Sequence, residues 1–219
     1  MLQAATIDFL KEIAINNNKP WFDAHKESYE AAKQDWEVFV GNMLQALTPM
    51  EPALAGQKAK DCIFRIYRDV RFAKDKTPYK ENFSAYFSKG GKKFAGAGFY
   101  LHLQPNGKSM IGGGLWNPEA PLLKAVRQEI DYDFDGFKKI IDQKDFKKAF
   151  GELRGEQLKS APQGYDTDNP AIDYLRMKSF VVHHNIADKD WTGKNIVLKC
   201  TEVFNTMKPL VNFLNKSLD

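Results

Sequence analysis

The spacing of apolar residues changes twice along this chain of 219 residues, and this change limits the possible folds more than any other feature. Apolar positions recur at helical spacing before residue 55 and after residue 117, most clearly from Ile196 to Leu214. Between these regions they alternate with polar residues, which is typical of strands with one buried face. The pattern predicts an α+β fold: an antiparallel sheet of about four to five strands in mid-chain, with N- and C-terminal helices packed mainly on one face.

The alternation occurs in four segments of the middle region. They run from Asp61 to Tyr67, Asn82 to Ser88, Gly98 to Gln104 and Lys108 to Trp116. Pro105-Asn106-Gly107 predicts a hairpin turn between the last two, because Asn-Gly adopts positive φ at low cost. In the first segment, the alternation assigns Phe64 to the face that meets the helices and Arg65 and Tyr67 to the opposite face.

We expect a single domain. It comprises a helical scaffold over residues 1–55, the sheet and a basic loop over residues 56–116, and a helical and loop cover over residues 117–219. In the scaffold, one long helix is predicted from Trp21 into the region of Leu47, and in the cover Ser179 to His183 is predicted as one more strand.

Composition and the chain start favour a cytoplasmic protein. Hydrophobic residues make up 43% and charged residues 27% of the chain, as in ordinary globular proteins. The N-terminus lacks the basic leader of a signal peptide, and no apolar run is long enough for a membrane span, so we expect no membrane partner. Cys62 and Cys200 are far apart and outside any CxxC motif, which favours buried reduced thiols.

The net charge of +4 arises in one part of the chain. Residues 1–55 carry 4 Lys and 8 acidic residues, residues 111–219 carry 16 basic and 16 acidic residues, and residues 56–110 carry 12 basic and 4 acidic residues. A local excess of positive charge raises the local concentration of anions, so it indicates an anionic partner.

Half of this excess lies in the segment Phe64-Arg65-Ile66-Tyr67-Arg68-Asp69-Val70-Arg71-Phe72-Ala73-Lys74-Asp75-Lys76-Thr77-Pro78-Tyr79-Lys80, with six basic, four aromatic and two acidic residues. Arginine presents a planar fork of donors to carboxylate or phosphate oxygens, and lysine adds a movable charge. Pro78 stiffens the loop. Alternatively, Asp69, Asp75 and Glu81 pair with neighbouring bases and hold the loop together.

The sheet face opposite the helices is the second half of the predicted site. Alternation assigns polar-tipped aromatic and basic residues to it, together with two glycines of the last strand: Arg65, Tyr67, Tyr86, Tyr100, His102, Gly112 and Gly114. Glycine within a strand marks a bulge or the close approach of a ligand or a packed loop. The loop of residues 155–169 is one candidate to cover this face.

The candidate ligand-binding residues are Arg65, Tyr67, Arg68, Arg71, Lys76, Tyr79, Lys80, Tyr86, Gly112 and Gly114. His102 is the candidate catalytic acid or base, since histidine titrates near neutrality. No metal site is predicted, because His183 and His184 are adjacent strand residues that point to opposite faces. Neither a cofactor nor an oligomeric state follows from the sequence.

Three functions fit these features. The first is binding of a small anionic, phosphorylated ligand at the sheet face and the loop. The second is a nucleic-acid-binding module in which the aromatic residues stack on bases; the pI of about 8.8 makes it less favoured. The third is a structural or interaction domain with a self-paired charged loop.

The basic segment also carries a resemblance. Its pattern FRIYRDxRFxKDKxPYK resembles the hallmark of a mostly bacterial family of conserved hypothetical proteins, classed as a domain of unknown function. Supporting segments are Asn16-Asn17 with Trp21-Phe22, Gly112-Gly113-Gly114-Leu115-Trp116, Leu158-Lys159 with Pro162, Gly164-Tyr165-Asp166 and Leu175-Arg176. The resemblance covers nearly the whole chain and implies a single domain, but it implies no activity, substrate or cofactor.

Overall fold

The computed structural model describes residues 1–218. Within them lie ten α-helices and a four-stranded antiparallel sheet, so the predicted α+β class is confirmed. The helices are α1 (Ala4–Ile15), α2 (Lys19–Ala24), α3 (Lys26–Leu47), α4 (Ala59–Cys62), α5 (Ala120–Tyr132), α6 (Phe134–Ile141), α7 (Lys144–Phe150), α8 (Ile172–Leu175), α9 (Asp188–Trp191) and α10 (Ile196–Asn215). Short 3-10 helices cover Pro52–Leu54, Gly91–Lys93 and Lys216–Leu218.

The strands are β1 (Phe83–Phe87), β2 (Gly98–Leu103), β3 (Met110–Leu115) and β4 (Phe180–Asn185), hydrogen-bonded in that order. Three of them lie in mid-chain as predicted, and the fourth comes from the segment that was predicted as a separate strand. On its other side β4 meets residues of the loop that follows α7, through isolated bridges between Arg154 and Val181 and between Gln157 and Met177. The start of that loop therefore extends an edge of the sheet.

The strand predicted from Asp61 to Tyr67 is wrong. Its beginning is helical in α4, where the Asp61 carboxylate accepts the backbone N–H of Lys58 at 3.3 Å and closes the turn. Beyond it the chain is irregular and touches β1 at one bridge, between Ile63 and Ala85. The assignment of Phe64 to the helix-facing side is also wrong, since its half-buried ring lies 6.4 Å from that of Tyr100.

The long helix predicted from Trp21 is divided in two at His25, whose φ of −112° and ψ of 24° are not helical. The His25 Nδ1 lies 2.8 Å from the Trp21 carbonyl oxygen, and the two rings stack with their centroids 4.2 Å apart. The last carbonyl groups of a helix have no hydrogen-bond partner within it, so a side chain that bonds to one of them stabilises the end of α2.

The chain forms two compact units. The first contains residues 1–92, 100–111 and 185–201, and the second contains residues 93–99, 112–184 and the chain from residue 202. Trp36 lies at the centre of the first core, with its ring 5.6 Å from Phe39 and 6.1 Å from Phe83. In the second core Phe137 lies 5.3 Å from Phe213.

Both cysteines are free and buried, as predicted. Burial raises the pKa of the Cys62 thiol to about 11 and that of Cys200 to about 12. Thiols with such pKa values carry almost no thiolate at neutral pH, so neither residue is an activated nucleophile.

Candidate anion-binding site

The basic loop, defined as residues 68–80, is closed at its base by backbone pairing. The Arg68 N–H donates to the Pro78 carbonyl at 2.9 Å, and the Lys80 N–H donates to the Ile66 carbonyl at 2.7 Å. Tyr67 and Tyr79 form an antiparallel bridge between these two bonds. The loop is therefore a hairpin-like projection.

The base of the loop is attached to the N-terminal helices by an amide and by aromatic rings. Asn17 accepts the Tyr79 N–H at 3.0 Å and donates from Nδ2 to the Tyr79 carbonyl at 2.9 Å. Phe22 of α2 stacks on the Tyr79 ring with centroids 4.0 Å apart and meets Tyr67 at 5.9 Å. Tyr79 is buried and Tyr67 is 48% exposed, so packing accounts for the first ring better than for the second.

Asp75 organises the interior of the loop. Its carboxylate accepts Arg68 Nη1 at 2.6 Å and the Thr77 N–H and hydroxyl at 2.9 Å each. The backbone hydrogen bond from Thr77, followed by the Arg68 guanidinium, lowers the pKa of Asp75 to about 2. Arg68 also donates to the carbonyl and the hydroxyl of Thr77. The N–H donors of its guanidinium are thus largely engaged in hydrogen bonds within the loop.

Two more cations predicted to bind ligand also have partners within the loop. Arg71 donates from Nε and Nη2 to the two oxygens of Asp69, at 2.9 and 2.7 Å, and this pairing lowers the pKa of that carboxyl group. Lys76 donates to the Val70 carbonyl at 2.9 Å. These contacts support the self-paired alternative for Arg68, Arg71 and Lys76.

Arg65 and Lys80, which flank the base of the loop, differ from these cations. Within residues 1–218 neither side chain has a hydrogen bond or an ion pair, although Lys80 Nζ lies 5.5 Å from the centre of the Phe64 ring. Burial lowers the pKa of Lys80, and the positive charge of Arg65 lowers it further. Two like charges therefore lie near each other here, and the Asp69 carboxylate, which is paired with Arg71, acts on Arg65 only at longer range.

A chain of hydrogen bonds runs along the polar side of β2. The Tyr100 hydroxyl lies 3.1 Å from His102 Nδ1, and His102 Nε2 lies 2.9 Å from Gln104 Oε1. Gln104 Nε2 then donates to Glu81 at 3.4 Å. Burial, and in smaller part the charge of Lys80, lowers the pKa of His102, so its imidazole is neutral at pH 7.

Lys80 is therefore electrostatically linked to both Arg65 and His102 within the first compact unit. Arg65 affects the pKa of Lys80, and Lys80 affects that of His102. Tyr86 is half-buried in β1, and burial raises its pKa. Residues 100, 102 and 104 are alternate residues of an extended segment and so share one face, and this spacing was a sequence signal for the hydrogen-bonded chain. The contact of Glu81 with Gln104 was not predicted.

Gly112 and Gly114 belong to the second compact unit and have a packing role there. A Cβ on Gly112 would lie 3.0 Å from the Val182 carbonyl oxygen. Gly114 has a φ of +110°, and a Cβ there would overlap the Phe180 carbonyl oxygen. The backbone of β4 approaches both glycines closely.

Among residues 1–218, no three or more His, Cys, Asp or Glu side chains are grouped so that they could hold a metal ion. His184 Nδ1 instead contacts the Ala149 carbonyl at 3.1 Å. None of the helices in the same range combines the length and the apolarity needed to cross a membrane.

Comparison with known proteins bears on the family. No curated protein and no solved structure matches this chain. A family model described as conserved hypothetical protein (DUF2461) matches residues 5–213, which is nearly the whole chain. The chain therefore belongs to the DUF2461 family of conserved hypothetical proteins, as the residue pattern of its basic segment suggests.

Proposed function

We propose that this protein binds a small anionic, phosphorylated ligand in the cytoplasm, with Arg65 and Lys80 as the principal cations. The observation that carries the proposal is the pair itself: two neighbouring positive charges, one of them half-buried, without a hydrogen-bonded or ion-paired carboxylate in the described chain. The carboxylate of Asp69 acts on Arg65 only at longer range and is itself paired with Arg71. Desolvating an ammonium group is costly, and an anion that binds beside it recovers that cost.

The surrounding groups support a phosphate or carboxylate more than an apolar ligand. Tyr67 is partly exposed, and Lys76 contacts only backbone carbonyls, so its positive charge is uncompensated and adds attraction at longer range. Arg68 and Arg71 are each paired with a carboxylate, so they remain proposed ligand contacts with weaker support.

Tyr79 and Tyr86 remain proposed ligand contacts with weaker support, because Tyr79 is buried against Phe22 and Tyr86 is half-buried. Gly112 and Gly114 have the packing role described above and are not part of this proposed site. His102 has partners at both ring nitrogens, so an acid–base role requires a ligand that displaces one of them.

The test is a thermal-shift titration of the whole protein with inorganic phosphate, a sugar phosphate and AMP. Binding at about 100 times the dissociation constant stabilises the fold by roughly 2.7 kcal/mol. We expect Arg65→Ala and Lys80→Met to abolish the shift and Lys74→Ala, an exposed cation of the same loop, to retain it. The proposal would be abandoned if none of the probes stabilises the protein, or if the three variants respond alike.

Phe72 favours a second candidate, a nucleic-acid-binding module. This ring is 95% exposed at the tip of the basic loop, and the Arg71 guanidinium lies 5.9 Å from its centre. An exposed aromatic ring among cations can stack on an unpaired base. Binding to single-stranded oligonucleotides should then weaken steeply with salt and be lost in Phe72→Ala but not in Arg65→Ala. Binding that is insensitive to salt would count against this candidate.

A further inference from the structure

A groove of about 770 Å³ lies in the first compact unit and is lined by residues of α1, α2 and α3 and of the segments that flank them. All of its lining residues fall between Gln3 and Val38. Sites for small molecules usually have volumes of about 300–1,000 Å³, so the groove is large enough for one. It uses none of the residues of the Arg65–Lys80 site.

The groove has apolar, partly aromatic walls. Phe9 of α1 and Ala32 of α3 are buried, Trp21 of α2 is half-buried, and Val38 of α3 is 59% exposed. The Phe9 and Trp21 rings lie 6.2 Å apart, and His25 stacks on Trp21 with the ring centroids 4.2 Å apart. The groove therefore offers apolar surface to the hydrocarbon part of a ligand, which gains free energy when it leaves water.

The carboxylates that line the groove are those of Asp8, Glu12 and Asp35, and no lysine or arginine of residues 1–218 lines it. The Asp8 carboxylate is paired with Lys11 at 3.1 Å. Asp35 accepts neutral donors only, the Gln3 N–H at 2.9 Å and the Thr6 hydroxyl at 2.5 Å. The Glu12 side chain has no hydrogen bond or ion pair in the described chain. Two negative charges thus remain uncompensated beside an apolar surface.

We propose that this groove binds a small organic cation, an ammonium group on an aliphatic or aromatic body. The carboxylates of Glu12 and Asp35 attract the ammonium group, and the hydrocarbon body packs against Phe9 and Trp21. An indole ring also attracts cations that lie over its face. The charge of this part of the chain favours the same ligand, because residues 1–55 carry 4 Lys and 8 acidic residues.

The test is an NMR titration of the tryptophan indole N–H signals of the whole protein with phenethylamine in one arm and spermidine in the other. We expect the Trp21 signal, assigned from the spectrum of Trp21→Phe, to shift saturably with at least one amine. Trp116 is 76% exposed in the second compact unit and is the internal control, so its signal should not saturate. The uncharged 2-phenylethanol should bind at least about tenfold more weakly than the amine that binds.

One variant and a matched control test the role of charge. Glu12→Gln removes an exposed carboxylate without a partner, so the protein should fold normally, and the dissociation constant of the amine should rise about tenfold. Glu37→Gln makes the same change at an exposed position of α3 outside the groove and should bind as the wild type does. Arg65→Ala should also bind normally, so this proposal can fail independently of the first site.

The small-cation site would be overturned by any of three results. These are a Trp21 signal that does not saturate with either amine, equal affinity for the amine and the alcohol, or equal dissociation constants in Glu12→Gln and Glu37→Gln. A third arm with a lysine-rich amphipathic peptide tests the other occupant of such a groove. Saturation by this peptide and by neither amine would replace the small cation with a segment of a partner protein.

Discussion

The Tyr100 hydroxyl lies 3.1 Å from Nδ1 of His102, while Nε2 of the same ring lies 2.9 Å from Gln104 Oε1. The amide oxygen can only accept, so Nε2 carries the proton and Nδ1 accepts from Tyr100 in the neutral ring. Protonation of His102 would place a second hydrogen on Nδ1 and remove the acceptor of the Tyr100 hydroxyl. The arrangement therefore favours the neutral imidazole.

The first prediction is a loss of stability in mild acid. Because the folded-state pKa of His102 is lowered, the unfolded chain binds more protons between that value and the ordinary pKa of about 6.5. The free energy of unfolding should therefore decrease as the pH falls below about 6.5. Urea unfolding over this range should give a shallower pH dependence in His102→Gln.

His183 serves as the control for this dependence, since its pKa is also lowered, first by burial and then by Arg154. His183→Gln should remove a separate part of the pH dependence of the free energy of unfolding. The double variant, with both histidines replaced, should remove both parts. An equal slope in the wild type and in His102→Gln would contradict the proposed effect of His102.

The second prediction concerns the field of Lys80. Its positive charge lowers the pKa of His102, so Lys80→Met should raise that pKa, as followed by NMR titration of the His102 ring. Lys74→Met makes the same change of charge at an exposed position of the basic loop and should leave the His102 titration unchanged. If both variants shift it equally, the effect comes from net charge and the proposed proximity is wrong.

The third prediction concerns the attachment of the loop base. Asn17→Ala removes two hydrogen bonds to the backbone of Tyr79 and should lower the free energy of unfolding by about 1–3 kcal/mol, since each bond contributes about 0.5–1.5 kcal/mol. Asn17→Asp keeps the acceptor and loses the donor, so its effect should be intermediate. The adjacent control is Asn16→Ala, which loses only a local contact with the Glu12 carbonyl. Urea denaturation that ranks the control as the most destabilised variant would refute the assignment.

Local patterns predicted the regular parts of this fold well. The alternation of β2, the turn at Pro105-Asn106-Gly107 and the apolar stripe of α10 each depend on neighbours in sequence, and each appears in the structure. In β1 the predicted inward residues Phe83, Ala85 and Phe87 are buried, but Ser84 of the other face is buried as well. The strand prediction for the segment after Asp61 was wrong for a physical reason. Its apolar side chains are buried singly along an irregular chain, and an alternating pattern does not distinguish that arrangement from a strand.

The candidate site was predictable in part. The excess charge of the basic segment could be counted, but which cations keep a partner depends on geometry. Asp75 reaches back to Arg68 and Asp69 pairs with Arg71, while Glu81 contacts Gln104 and leaves Lys80 unpaired. The attachment of Tyr79 by Asn17 spans 62 residues and follows from no local pattern.

The fourth prediction concerns order in the basic loop. Asp75→Ala removes the acceptor shared by Arg68 and Thr77 and should expose the loop to trypsin at its lysines and arginines. Because the pKa of Asp75 is about 2, the wild-type loop should keep its protection in mild acid. Asp8→Ala, which breaks an exposed pair with Lys11 on α1, is the control and should not change cleavage. Equal cleavage rates in all three proteins would contradict the role of Asp75.

The last prediction separates two glycines by their surroundings. Gly114 has a φ of +110°, and a Cβ there would overlap the Phe180 carbonyl oxygen and lie 3.0 Å from Val181 Cα. Gly114→Ala should therefore destabilise the protein by about 2–6 kcal/mol, from backbone strain together with overpacking. Gly41 of α3 has nothing within 4 Å of its Cβ position, so Gly41→Ala should stabilise the helix by about 0.5–1 kcal/mol. Thermal and urea unfolding measure both changes, and a Gly114→Ala protein as stable as wild type would mean that β4 does not approach β3 as described.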